Sequence, residues 1–249
     1  MQPRASGIAT TAIGSRVTEV VALHGFLGLP SDWQHFDRVA KIHAVDLWQG
    51  IDRLPTENAF DLWAERFEPV GEKPVLLGYS MGGRLAMHLA SKRPELFSGV
   101  MIVSANPGLV NESEKPARLA NDLQWAERFR SEPWETVIGA WNAQPVLRTP
   151  PGAMQLPRNE SDFDRNALAR ALDIWSLARQ RDLRRSIANL PIPALFVSGE
   201  KDTKFDQLMR GLELPKRSEY RAVAGAGHRV PWDRPDEFAG LLARFLRDR

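Results

Sequence analysis

Pro74-Val75-Leu76-Leu77-Gly78-Tyr79-Ser80-Met81-Gly82-Gly83-Arg84 decides the fold. Its first half is a short apolar run of the kind that forms a buried strand. Beyond Arg84, the residues Leu85, Ala86, Leu89 and Ala90 recur at helical spacing. A strand that enters G-x-S-x-G and leaves as a helix is a nucleophile elbow. The glycines are required because side chains cannot fit around so tight a turn, which lifts the serine Oγ above the sheet edge. The helix that starts behind Ser80 aims its free N–H groups and dipole at the same point.

Working outward, short apolar runs alternate with helical patterns, which indicates a parallel sheet with crossover helices. The predicted strands are residues 18–23, 41–45, 74–78 and 99–103, then 194–197 and 218–223 after a long gap. Between the two groups, residues 106–190 read as almost wholly helical, broken at Pro145 and at Thr149-Pro150-Pro151, and hold four of the eight tryptophans. The expected architecture is α/β: residues 1–105 and 191–249 form a mostly parallel sheet flanked by helices, and residues 106–190 are an inserted helical cap. Such a cap would cover the C-terminal strand ends, where ligands bind in open α/β sheets. Residues 235–247 predict a closing amphipathic helix with Phe238, Leu241, Leu242 and Phe245 on one face. Residues 1–17 are read either as an edge strand or as disordered chain.

Composition narrows the function. The chain has 249 residues, 33 basic against 31 acidic side chains, and a formal charge of +2. A balance so near zero leaves no electrostatic footprint for nucleic acid. The absence of cysteine excludes disulfides, thiolate metal sites and cysteine catalysis. No apolar run reaches the roughly 18 residues of a membrane span, and residues 1–16 lack the apolar core of a signal peptide, so a cytoplasmic protein is expected. No phosphate loop, dinucleotide fingerprint or metal-ligand cluster is visible, and no cofactor is implied. No feature sets an oligomeric state. Of the basic residues 26 are arginine, which reflects either genomic base composition or a need for bidentate carboxylate binding.

Two further segments supply chemistry. Leu23-His24-Gly25-Phe26-Leu27-Gly28 follows the first strand, where this kind of fold donates one oxyanion-hole N–H; the residue after the nucleophile donates the other. The expected donors are the backbones of Phe26 and Met81. His24 is read as bracing that loop. Asp202, in Gly199-Glu200-Lys201-Asp202, and His228, in Gly225-Ala226-Gly227-His228, complete a triad in the order Ser, Asp, His. A serine hydroxyl is inert near neutral pH until an imidazole takes its proton, and that imidazole needs an acid to fix its tautomer. Asp206 and Asp233 are rival acids. His35, His43 and His88 are read as solvated or structural.

On HGF, GYSMGG, GEKD and GAGH the chain resembles the α/β-hydrolase-fold proteins over nearly its whole length. Within them it is similar to the synthases of 2-succinyl-6-hydroxy-2,4-cyclohexadiene-1-carboxylate in menaquinone biosynthesis. That narrower likeness rests on GYSMGGRLA at 78–86, NPGL at 106–109, QWAERF at 124–129 with Trp141 and Gln144-Pro145, and GEKD with Lys204-Phe205. Two stretches depart from it: Asp46-Leu47-Trp48-Gln49-Gly50, where relatives show a D-x-P-G-H-G-like turn, and residues 148–164. The resemblance implies a lyase that eliminates pyruvate from a cyclohexene carboxylate, with Ser80 as base and no acyl-enzyme. It also implies that Tyr79, Arg84, Arg118, Trp141 and Arg158 contact a small polycarboxylate substrate. Eleven arginines between residues 106 and 190 suit such an anion, although eleven acids in the same span require any anion site to be local. A serine carboxylesterase or C–C hydrolase would use the same triad through an acyl-enzyme, and a non-catalytic binding protein is the remaining alternative. Dehalogenases and epoxide hydrolases place aspartate where this chain has Ser80.

Overall fold

The computed structural model describes residues 19–68 and 70–248. Thr18, the first residue of the first expected strand, and residues 1–17 lie outside them. Six parallel strands, β1 (Glu19–Leu23), β2 (Lys41–Val45), β3 (Val75–Tyr79), β4 (Gly99–Val103), β5 (Ala194–Gly199) and β6 (Glu219–Val223), form one sheet in the order β2-β1-β3-β4-β5-β6. The chain turns one way from β1 to β2 and the other way from β3 onward. The switch therefore falls between β1 and β3, and the crevice at their carboxyl ends lies beside the Phe26 and Ser80 loops.

Every residue of β3, β4 and β5 is buried, as expected of strands covered on both faces. Val21, Leu76, Ile102 and Phe196 pack with α1 (Ala59–Arg66) and α2 (Met81–Lys92). Val20, Leu77, Met101 and Leu195 face the other way, onto Trp33, Phe36 and the closing helix. Burial of a side chain such as Phe238 or Leu242 of that helix contributes roughly 1.5–3 kcal/mol.

Strand boundaries shift for identifiable reasons. Pro74 has no N–H to give the ladder, so β3 starts at Val75; pairing of Tyr79 with Val103 carries it one residue further. Pairing of Gly199 with Val223 likewise extends β5 by two residues.

Residues 106–190 are less helical than their pattern predicts. They contain α3 (Lys115–Ser131), α4 (Trp134–Asn142), α5 (Arg165–Ile174) and the short α6 (Arg184–Ala188). Residues 148–159 are largely irregular, because Pro150, Pro151 and Pro157 remove donors and block helical geometry. Part of this segment bonds to the core through Met154 N–H and the Trp232 carbonyl at 2.8 Å. Phe129, Leu168 and Leu172 join α3 to α5 and pack on Leu27 of the post-β1 loop. The chain then continues through α7 (Thr203–Arg210), the short α8 (Val230–Asp233) and α9 (Pro235–Arg247). Among the described residues no helix is long and apolar enough to cross a membrane.

Candidate active site

Ser80 sits at φ 52°, ψ −111°, a left-handed conformation that a serine adopts only where its surroundings enforce it. Its N–H donates to the Val103 carbonyl at 2.9 Å, pinning the elbow to the end of β4. Two glycines make the turn possible. A Cβ on Gly78 would stand 2.6 Å from Ala86 Cβ, and one on Gly82 would collide with the Leu23 and His24 carbonyls. Bare Cα atoms thus bring the start of α2 against the post-β1 loop.

Ser80 Oγ lies 3.1 Å from His228 Nε2, and His228 Nδ1 lies 2.6 Å from Asp202 Oδ2. The carboxylate requires the proton on Nδ1, which leaves Nε2 free to accept from the serine hydroxyl. Asp202 and His228 are 7% and 5% exposed, so little water competes for that hydrogen bond. The rival acids are occupied elsewhere. Asp206 accepts from Tyr220 and Arg210. Asp233 accepts from Gly227 N–H at 2.8 Å, steadying the loop that carries His228, and burial raises its carboxyl above the usual range.

The Phe26 and Met81 amides donate to no partner among the described residues. Such free N–H groups, presented on a fixed loop and a helix start, can receive a developing oxyanion. His24 braces the first of them. Its Nδ1–H donates to the Gly25 carbonyl at 2.8 Å, and its Nε2 accepts Leu47 N–H at 3.1 Å. Burial pushes its pKa down to about 4, which keeps this neutral tautomer. Of the other histidines, His35 meets Arg38, His43 lies near Glu19, and His88 bonds Asp61 while stacking on Phe60.

Arg84 and Arg118 share a cavity of about 100 Å³ with Ser80, Ser104, Asn106 and Lys204. Arg84 donates to the Trp175 carbonyl at 2.6 Å and lies over the Phe60 ring. Burial, and then the Arg118 charge, pull its pKa down to about 9. Arg118 uses only its Nε, on Asp122, whose carboxylate also accepts Ser176 Oγ–H. Its two terminal nitrogens have no partner among the described residues.

The remaining expected contacts fall elsewhere. Tyr79 is buried, its ring against His228 and Trp232, and burial raises its phenol pKa. Trp141 packs on Phe26 and Phe129 outside the Ser80 cavity. Arg158 is committed to a two-bond ion pair with Asp32 at 2.7 and 3.0 Å, which ties the irregular segment to the core rather than facing Ser80.

Three neighbours of the site carried no assigned role in the sequence reading, although Lys204-Phe205 was quoted for the narrower likeness. Phe205 lays its ring 4.6 Å from that of His228. Ser104 has φ 47° and a buried hydroxyl with no partner among the described residues, which no sequence pattern signals. The Lys204 ammonium has no hydrogen-bond or ion-pair partner among the described residues; its place in the first turn of a helix after Asp202 was the available clue.

The fold and the elbow together define a class. Residues 20–241 match the model of the alpha/beta hydrolase family, and the chain belongs to that family. Within it, a 2-succinyl-6-hydroxy-2,4-cyclohexadiene-1-carboxylate synthase of Enterobacter sp. (strain 638) is 37% identical over 178 residues, 70% of this chain and 67% of that protein. The synthase of that name from Serratia proteamaculans (strain 568) is 38% identical, over 70% of this chain and 68% of its own length. By these relatives the chain is a member of the synthase family of enzymes. The solved structure of MenH from S. aureus superposes with a TM-score of 0.78 at 21% identity, covering 93% of this chain and 94% of that one. A thermophilic esterase from Thermogutta terrifontis gives 0.65 at 18% identity, covering 93% and 90%. At such identities the two structures speak to the fold alone.

Proposed function

We propose that the chain eliminates pyruvate from 2-succinyl-5-enolpyruvyl-6-hydroxy-3-cyclohexene-1-carboxylate, as the family name of its Enterobacter and Serratia relatives suggests. The observation that carries the reading is the Arg84–Arg118 pair in the cavity that holds Ser80. Two guanidinium groups placed together, one of them depressed by burial and by its neighbour's charge, are relieved by a carboxylate that binds both.

The chemistry follows from the ring positions. His228 Nε2 takes the Ser80 proton, and Ser80 Oγ removes the hydrogen at ring C2. The C–H pair becomes the C2=C3 bond, the C3=C4 pair moves to C4=C5, and the C5–O bond breaks. Pyruvate departs as its enolate and is protonated. Charge that develops on the succinyl carbonyl is received by the Phe26 and Met81 amides, at roughly 3 kcal/mol per donor. Asp202 holds the imidazole and stabilises its protonated form. No bond forms between Ser80 and substrate.

In this reading residues 106–190 act as a cap over the strand ends, with Trp141 pressing on Phe26. The enzyme works in the cytoplasm on a small polycarboxylate, with no nucleic acid or membrane as partner. The same triad with the same free amides would also serve an acyl-enzyme, so the test must separate the two reactions. Pyruvate release from the enzymatically generated substrate is measured for wild type and Ser80→Ala, with a p-nitrophenyl ester in parallel. Fast, Ser80-dependent release with feeble ester cleavage is expected. Rapid ester hydrolysis without pyruvate above the spontaneous rate overturns the reading.

A further inference from the structure

A second, larger cavity of about 570 Å³ lies on the far side of the triad, against His228 and Asp202. Its charge is one-sided. Arg148 comes from the irregular segment, Lys201 from the turn after β5, Lys204 from the first turn of α7, and Asp202, itself bound to His228, is the acid among its lining residues. None of the three cations makes an ion pair or side-chain hydrogen bond among the described residues. Elsewhere the chain pairs its lysines readily: Lys41 with Glu19, Lys92 with Glu65 and Lys115 with Glu112.

The lysine positions oppose local stability. Lys204 stands in the first turn of α7, where the helix dipole favours anions and a cation is destabilising. Its ammonium is exposed, so solvent offsets part of that cost, and no acid among the described residues pairs with it. Lys204 also lines the inner cavity with Ser80, Arg84 and Arg118, so one side chain borders both chambers. Meanwhile Arg158 is spent on Asp32. Two inner arginines therefore remain for a substrate that bears three carboxylates.

We propose that this outer cavity binds a carboxylate carried on an arm of the substrate outside the reacting ring, with Lys204 as the bridging anchor and Arg148 and Lys201 on the surrounding walls. The proposal rests on the reading above for the identity of that substrate. Two arms offer the chemistry: the enolpyruvyl group, which leaves as pyruvate, and the succinyl chain. The open side of the cavity suits either.

The experiment compares wild type with Lys204→Met and Lys204→Arg in pyruvate release, and measures binding of succinate and of pyruvate by saturation-transfer NMR. Loss of one charge-assisted contact, about 1.4 kcal/mol, should raise KM about tenfold, with a smaller change in kcat and recovery in Lys204→Arg. Whichever anion ceases to bind Lys204→Met identifies the arm. A KM within twofold of wild type, with both anions bound as before, overturns the proposal. Arg148→Met, which lines the same cavity from the irregular segment, gives the same readout if the α7 variant folds poorly. A wild type that releases no pyruvate refutes the functional reading, whereas the anion-binding contrast still judges the cavity.

Discussion

Arg84→Met should separate activity from stability. Burial pulls its guanidinium well below the usual arginine range, to about 9, and at 1.36 kcal/mol per tenfold this is roughly 5 kcal/mol of uncompensated charge burial. The side chain is only part-buried at the surface, and screening reduces the figure to about 3 kcal/mol. Against it stand the 2.6 Å hydrogen bond to the Trp175 carbonyl, worth about 2 kcal/mol, and the placement over Phe60, worth about 0.5–1 kcal/mol. The contributions nearly cancel. Methionine keeps the length of the stem, so stability should stay within about 1 kcal/mol and Tm within about 2–4 °C. Turnover should not be spared. If Arg84 holds a substrate carboxylate, truncation removes about 3 kcal/mol of binding, or roughly 100-fold in kcat/KM. The assay is pyruvate release across substrate concentrations, with thermal unfolding of the same sample and a neutral p-nitrophenyl ester as control. A loss under threefold at unchanged Tm, or an equal loss toward the neutral ester, would refute the carboxylate role.

Asp202→Asn should lower kcat by about 10⁴-fold, because an amide can hold the imidazole in the wrong tautomer; a loss under tenfold would remove Asp202 from the triad. His24 predicts acid lability. Its folded pKa, about 4, lies below the 6.5 of the unfolded chain, so between those values the unfolded state binds the extra proton. Stability is then complete above about pH 6.5 and falls by about 3 kcal/mol as the pH drops toward 4. Urea unfolding across that range should show the slope, and His24→Gln should flatten it. Ser104→Ala removes a buried hydroxyl that has no partner among the described residues, so the thermal midpoint should stay or rise by about 1 kcal/mol equivalent. A simultaneous rise in KM would assign the hydroxyl to substrate; a lower midpoint with unchanged KM would assign it to the fold.

What was legible in the sequence is what local chemistry determines. β2 and β4 were readable residue for residue: β4 is an apolar run, and β2 alternates polar with apolar residues as a half-covered strand does. So was α9, whose apolar face repeats at helical spacing. The elbow was readable because only glycine tolerates the approach of Ala86 to Gly78. The triad order pointed to Asp202, and the structure brings that residue to His228. Long-range partners were another matter. Nothing near Arg158 announces Asp32, a residue 126 positions away, as its partner. Residues 148–159 contain helix formers between their prolines, and their course is set by Trp232 and Asp32, which no local pattern encodes. Lys204 was quoted as part of a motif, yet its lack of an acid partner could appear only once every nearby acid had a place.

The cations of the site also bear on which reaction the triad performs. A neutral ester needs the serine, the imidazole and two amides; it gains nothing from Arg84, Arg118 or Lys204. Each of these carries an electrostatic disadvantage of its own. Arg84 is pulled down by burial and by a like charge, Arg118 leaves terminal donors unpaired, and Lys204 opposes a helix dipole. A polyanion removes all three disadvantages at once, and its binding energy can be used to orient the ring hydrogen toward Ser80. The positive field also lowers the cost of an enolate, which is the charge an elimination must create and discharge. An acyl-enzyme develops its negative charge at the oxyanion hole alone. The distribution of charge around Ser80 therefore favours the elimination, although the three triad side chains by themselves fit either reaction.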